Sequence, residues 1–365
     1  MSNDNEIRIL PHRAVKGAPM RPRQFVYIVA ALFCLAACQV QPATTGEVST
    51  RYQNWKTVCV GRYLVDVPTN VQLNYVYSIN SGDTKLEKVP GTVEDAKRMA
   101  NDKVRELQAT PHKLKGTSYI KSIPLANNGI LVQGWMVDFN TNNIDVFLYI
   151  PVTTRGKSFV YTYTTTIHTD DERTDLPKLI TFAASFRPLE EGVIPKGEGL
   201  CLDDVILVNL PESFKEDVAV NWEDPYAKRL FLAFDTGTAV RKFLWLSQIS
   251  GKADEECRLL GGSEKCDRLR FGKHPVGPIQ GEELCIAGHT YDGRYRTYSF
   301  EWDNPGMPNS RTSPGLTATL YYQGVPLENP TAPTPFFSDA EALANWDRFV
   351  NSIRVRPVAV GGSHE

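Results

Sequence analysis

Histidine is scarce in this chain, with six residues in 365, and methionine scarcer still, with five. No G-x-S-x-G elbow, H-E-x-x-H pair, Walker A loop or G-x-G-x-x-G turn occurs. The common hydrolase, zinc-protease, P-loop and dinucleotide signatures therefore have no footing. No C-x-x-C pair is present, which excludes a zinc ribbon. Beyond residue 38 no apolar run approaches the roughly 20 residues that a membrane helix needs. Positive charge is not in excess either: 40 Lys/Arg stand against 42 Asp/Glu. Without residues 1–37, which hold five basic and two acidic residues, the balance is 35 against 40, or −5. Nucleic-acid binding, which wants a basic face, is unsupported.

The histidines do not assemble a site. "HTDDE", residues 168–172, lies between a strand pattern and a helix pattern and reads as a solvated, helix-capping loop. His289 stands beside Gly288 and near Asp292, with no nucleophile or metal partner in reach of the pattern. "GKHPVGP" lacks the phosphate-loop spacing. No catalytic residue, cofactor site or metal ligand is assigned.

What is present begins with an export signal. Arg21 and Arg23 precede an uncharged, mostly apolar run over residues 25–37, short for a membrane span and right for a signal peptide. "LAAC", residues 35–38, has the small residues before Cys of a bacterial lipobox, which makes Cys38 the expected lipidation site. Gln39 follows in place of the Asp that retains lipoproteins in the inner membrane, so the expected location is the periplasm, anchored to the outer membrane. The compact signal begins at Met20, a candidate true start within the signal region 1–37. Residues 38–51 are polar and read as a tether.

Past Cys38 there are five cysteines: 59, 201, 257, 266 and 285. An oxidising compartment favours pairing. Cys257 and Cys266 enclose "RLLGGSEK", whose two glycines permit a sharp reversal, and form a disulfide candidate. For the remaining three, both 201–285 and 59–201 are compatible with the sequence.

A short theme occurs twice. "CVGRYLVDVP", residues 59–68, and "CLDDVILVNLP", residues 201–211, each open on Cys, run through an apolar segment and close on Pro. Read as one strand, the first carries Cys59, Gly61, Tyr63, Val65 and Val67 on an uncharged, inward face. The opening Cys reads as a small buried residue in both copies. The predicted order of elements is also the same in both: strand, strand, helix, four strands, helix. Thr92 is placed to cap the first helix and Ser338 with Glu341 the last. The endings "FAASFRP" and "FVNSIRVRP" are alike, and residues 189–199 read as a linker. The expectation is an α+β protein of two similar domains, residues 52–190 and 191–357, each a mostly antiparallel sheet with helices, related by duplication and followed by a tail, 358–365.

The opening "C-x-G-R-Y-x-x-D-V-P" (Cys59, Gly61, Arg62, Tyr63, Asp66, Val67, Pro68) resembles the type VI secretion immunity proteins that neutralise phospholipase, lipase-type effectors. "GEGLCLDDVILVNLP" and "GEELCIAG", residues 281–288, carry the same resemblance. The second opening departs from the first, with "LDDVIL" where the first has "VGRYLV". The resemblance implies a periplasmic two-domain protein that grips a cognate lipase-type effector stoichiometrically, blocking substrate access or lid opening, without being an enzyme. It names no contact residues, so the binding interface stays unknown at this point. Two other classes remain: an envelope lipoprotein with a structural or assembly role, and a periplasmic hydrolase with an unrecognised site.

Overall fold

The computed structural model describes residues 54–357, apart from 80–84, 137, 191, 211–213, 224–229, 239–243, 261–265, 291–292 and 325–337. The signal region, Met20, Cys38, the tether, the tail and the Gly261–Gly262 reversal lie outside the described residues.

The Cys-led opening is not one strand. It folds into a hairpin, β1 (Trp55–Val60) and β2 (Tyr63–Pro68), with Val60 opposite Tyr63. The turn is Gly61–Arg62, and Gly61 has φ +59, a left-handed value that Gly adopts at no steric cost. The turn reverses the side-chain phase. Cys59 therefore shares a face with Leu64, while Val60, Tyr63, Val65 and Val67 enter the main core. The single-strand period misses this because it counts straight through the turn.

Two further strands precede the helix in each copy, so each copy opens with four strands, not two. In the first copy these are β3 (Asn74–Ile79) and β4 (Lys85–Pro90), then helix α1 (Val93–Ala109). A small pair, β5 (Pro111–His112) and β6 (Gly116–Thr117), leads into β7 (Tyr119–Pro124), β8 (Ile130–Trp135), β9 (Asn143–Thr154) and β10 (Lys157–His168). Helix α2 (Glu172–Ala184) and β11 (Phe186–Pro188) close the copy. The second copy repeats the order: hairpin β12 (Leu200–Cys201) and β13 (Val205–Leu207), then β14 (Glu216–Glu223), β15 (Leu230–Gly237) and helix α3 (Lys252–Leu259). It continues with β16 (Asp267–Lys273), β17 (Glu282–His289), β18 (Arg296–Asn304), β19 (Gly315–Tyr322), helix α4 (Asp339–Val350) and β20 (Arg354–Val355).

Local chemistry explains the helices. Thr92 caps α1 in a reciprocal box with Asp95, satisfying two otherwise orphaned N–H groups. Ser338 caps α4 by accepting from Glu341 N at 3.2 Å. Helix α1 buries Ala96, Ala100 and Leu107 against Val132, Tyr149 and Val160; the two alanines let it lie close on its sheet.

The fold is α+β with antiparallel sheets, and the two copies are interwoven. The first copy's sheet runs β4-β10-β9-β8-β7, while the second is β16-β17-β18-β19-β15-β14-β3. Strand β3 thus leaves its own copy to pair with β14, from Asn74 opposite Asn221 to Ile79 opposite Glu216. The closing strands also cross: β11 pairs with β13 of the second copy, and β20 with β2 of the first. The contacts are equivalent in detail. Ser185 Oγ donates to Phe182 O and Ser352 Oγ to Phe349 O, both at 2.6 Å. Leu189 N donates to Asp204 O and Arg356 N to Arg62 O, both at 2.9 Å. One continuous core contains Tyr63, Tyr161, Phe182, Trp222, Phe234, Trp302 and Phe349.

Candidate functional site

The residues of the repeated opening meet at the seam between the copies. Cys59 and Cys201, at equivalent places, form a disulfide with Cα atoms 5.8 Å apart. That bond decides between the two open pairings and leaves Cys285 as a buried free thiol. Gly61 and Cys201 exchange backbone hydrogen bonds at 2.9 and 2.7 Å. A Cβ on Gly61 would meet Thr236 Cγ2 at 2.6 Å, so the approach also demands glycine. Arg62 forks Glu216, with Nε and Nη2 at 2.9 and 2.7 Å, and Arg311 reaches the same carboxylate at 2.5 Å. At the place equivalent to Arg62 stands Asp204, which holds Lys88 at 2.7 Å and Arg155 at 3.3 Å; Lys88 also bonds Asp203. Arg356, fully buried, donates to the linker carbonyls of Pro195, Gly197 and Gly199 at 2.6–2.8 Å. Burial, then the nearby Arg62 charge, pulls its pKa down to about 10, which keeps it protonated at neutral pH. Every polar partner here is inside the fold. The repeated motif chiefly builds the scaffold.

A second cluster joins α4 to β16 and β17. His274 Nδ1 bonds Glu283 Oε2 at 2.7 Å, and its Nε2 lies 3.1 Å from Asn351 Oδ1. Trp346 Nε1 donates to the same Glu283 oxygen at 3.2 Å. Arg270 forks Asp347 at 2.5 and 2.8 Å and stands 3.7 Å from Glu283. The Glu283 hydrogen bond raises the His274 pKa. Burial, the largest single effect, would raise Glu283, but the His274 and Trp346 hydrogen bonds and the His274 and Arg270 charges together outweigh it and hold the carboxyl below its ordinary value. Burial, then the Glu283 charge, pushes the Cys285 thiol far up, which removes it as a nucleophile. One donor atom each from His274, Glu283 and Asp347 falls within 4.8 Å of the others, as a metal site would need. The Arg270 guanidinium already pairs with Asp347 and stands beside Glu283, supplying positive charge to two of the three. The cluster works as an ion-paired staple.

The outward feature lies on the far face of the seven-stranded sheet. Helix α1 has 17 residues and α3 has 8, so α3 covers much less of its sheet. It packs over Leu284 and Ile286, and Lys252 fixes it to Glu301 at 2.7 Å. Beside it, Asp217, Asp235, Glu301 and Asp303 share one face; register places Asp235 and Asp303 on either side of Thr317. Burial, then the Glu301 charge, raises the Asp303 pKa well above the ordinary range. At the rim, Ile249 and Phe271 are 37% and 47% exposed, and the Arg268 guanidinium lies 5.4 Å from the Phe271 ring centre. They line a shallow recess of about 230 Å³ with Leu246 and Leu284. A second recess of about 380 Å³ lies against Cys257, Cys266 and Ile286; the two cysteines are bonded, with Cα atoms 5.9 Å apart. Both volumes lie at or below the small end of ligand pockets, and suit a partner's side chains better than a substrate.

Sequence reading did not find this surface. "DRLRFGK" shows an alternating strand, but nothing in it says that Phe271 is left uncovered by a short α3. Among the histidines, His168 accepts from Asp170 N at 3.4 Å at a helical turn, and His112 is buried against Trp135, ring centres 5.8 Å apart. His289 ends β17, exposed.

The chain is similar to known proteins over nearly all of the described residues. A family model described as the Tle cognate immunity protein 4 N-terminal domain matches residues 56–178, and its C-terminal counterpart matches 193–358. Among solved structures, the apo immunity protein TplEi of the type VI secretion system (T6SS) from Pseudomonas aeruginosa is 27% identical, covering 83% of this chain and 97% of that one, with a TM-score of 0.71. A chain in the crystal structure of the Tle4–Tli4 complex is 26% identical, covering 84% and 99%, with a TM-score of 0.73. TplEi complexed with "L" peptide is 25% identical, covering 84% and 99%, with a TM-score of 0.67. No curated protein matches.

Proposed function

Because the chain belongs to the Tle cognate immunity protein 4 family of type VI secretion immunity proteins, matched in both of its domains, we propose that it binds and neutralises one cognate lipase-type effector by occupying it. The observation that carries this reading is the likeness, over 84% of the chain, to a structure solved in the Tle4–Tli4 complex. The interior supports it. The copies are locked by exchanged strands, a disulfide and buried ion pairs, so contacts from both halves reach a partner already in register. A preorganised surface loses little conformational freedom on binding, which favours affinity. Neutralisation then needs no turnover: the bound protein blocks substrate access or lid opening, and the chain is not an enzyme.

The surface beside α3 is the proposed contact, with Phe271 and Ile249 as apolar anchors and Arg268 beside them. Aromatic and arginine anchors dominate such interfaces. Phe271→Ser should weaken binding to the effector at least about 30-fold, the size of a hot-spot loss. Titration calorimetry of the two purified proteins tests it; an unchanged Kd would move the contact elsewhere.

The setting completes the reading. A lipid on Cys38 would hold the body in the periplasm at the outer membrane, where an effector attacking phospholipid must be met. Cys38→Ser should abolish incorporation of a fatty-acid probe and release the protein from membranes. Unchanged labelling would rule out the anchor.

A further inference from the structure

A second apolar surface lies in the first copy, away from α3. The turn between β5 and β6 is strapped to the β8–β9 connection: Lys113 N donates to Asp138 O at 2.7 Å, and the His112 ring nitrogen lies 3.1 Å from Asn140 O. These bonds bring three large apolar residues into one place. Leu114 is 63% exposed, Met136 50% and Phe139 63%. Single exposed apolar side chains are ordinary; three on two joined loops need a reason. Two lysines flank them. Lys113 lies 3.4 Å from Asp138, both largely exposed, and the Lys115 amine stands 5.7 Å from the Trp135 ring centre.

We propose that this tip rests on an anionic lipid surface. Apolar and aromatic groups at loop ends, with lysines beside them, match the bilayer interface. There the apolar groups leave water, the indole sits at headgroup level and the amines meet phosphate. A protein partner fits less well, because lysine is depleted in the cores of protein interfaces. The chain before the body makes the contact reachable. Residues 39–53 number 15, which span at most roughly 50 Å when extended. A body of about 300 residues is itself roughly 50 Å across. An anchor at Cys38 would keep the bilayer within reach of any face without choosing one, and the tip chooses. Even weak partition then suffices, because tethering makes the contact intramolecular. The first copy would face the membrane and leave the α3 surface free. The tip does not depend on the α3 contact being correct.

The test uses the mature chain, residues 38–365, carrying Cys38→Ser, which lacks both the lipid and the apolar signal run. It is sedimented with vesicles of phosphatidylethanolamine and phosphatidylglycerol, and separately with vesicles of phosphatidylcholine. It should partition onto the anionic vesicles. Leu114→Ser/Met136→Ser/Phe139→Ser should lower that partition at least about tenfold, with effector neutralisation unchanged. Lys113→Glu/Lys115→Glu should erase the preference for anionic over zwitterionic lipid. If the triple variant loses its folded circular-dichroism spectrum, Phe139→Ser alone and the lysine pair carry the test. The proposal is overturned if the parent chain stays in solution with both vesicles, or if the folded variants sediment as it does. It is equally overturned if the triple variant loses effector binding while vesicle binding is unchanged, which would assign the tip to the effector.

Discussion

His274 shows how one residue ties stability to pH. Its pKa is raised above the ordinary 6.5 by the Glu283 hydrogen bond, while that of Glu283 is lowered below 4.5. The raised histidine contributes stability that is fully present below 6.5 and is lost as pH rises through its folded value. The lowered carboxylate contributes stability present above 4.5 and lost on acidification. The pair is therefore strongest between those two values, with Arg270, Asp347, Trp346 and Asn351 facing it. His274→Gln should lower the melting temperature more at about pH 5.5 than at about pH 8.5. Thermal scans at both values check it; an equal loss would mean that the ring acts by packing alone. Gly61 is a different case. It was legible as part of a motif, but its role was not. The turn it makes lacks the Asn-Gly or Asp-Gly signal of a hairpin, and the group that requires its missing Cβ, Thr236, lies far along the chain.

At the scale of elements, periodicity revealed what is local. Helix α1, its Thr92 cap, the meander from β7 to β10 and the capped α4 all follow from apolar spacing and end signals. Strand β4 escaped because "KLEKVP" is charged at Lys85, Glu87 and Lys88; β14, "EDVAVNWE", alternates Val218, Val220 and Trp222 on its buried face but is masked by charges at both ends. The exchanges of β3, β11 and β20 left no local trace at all, since any antiparallel edge of suitable register would serve as partner. The repeat itself was legible in the paired Cys-led openings, and the structure explains why both carry Cys: one bond crosses the seam. The Cys59–Cys201 bond spans 142 residues and Cys257–Cys266 spans 9. In the chain-entropy picture these are worth about 5 and about 2.5 kcal/mol. Cys59→Ala/Cys201→Ala should thus cost about twice what Cys257→Ala/Cys266→Ala costs. Urea unfolding of both variants measures this, and a larger loss from the short loop would contradict it.

For the whole molecule, the interweaving changes how two-domain binding works. Cutting between residues 190 and 191 would strip β3 from the seven-stranded sheet and separate β11 and β20 from their partners. The halves are not beads on a linker, and the proposed binding draws on one preformed surface. The surface proposed as the contact was illegible in the sequence because it depends on what a short helix leaves uncovered. The most direct measurement is a titration of the cognate lipase-type effector's activity with the purified mature protein. Activity should fall to background near one equivalent, with both chains intact on a denaturing gel. Undiminished activity at several equivalents, or destruction of the effector at far below one, would contradict neutralisation by occupancy.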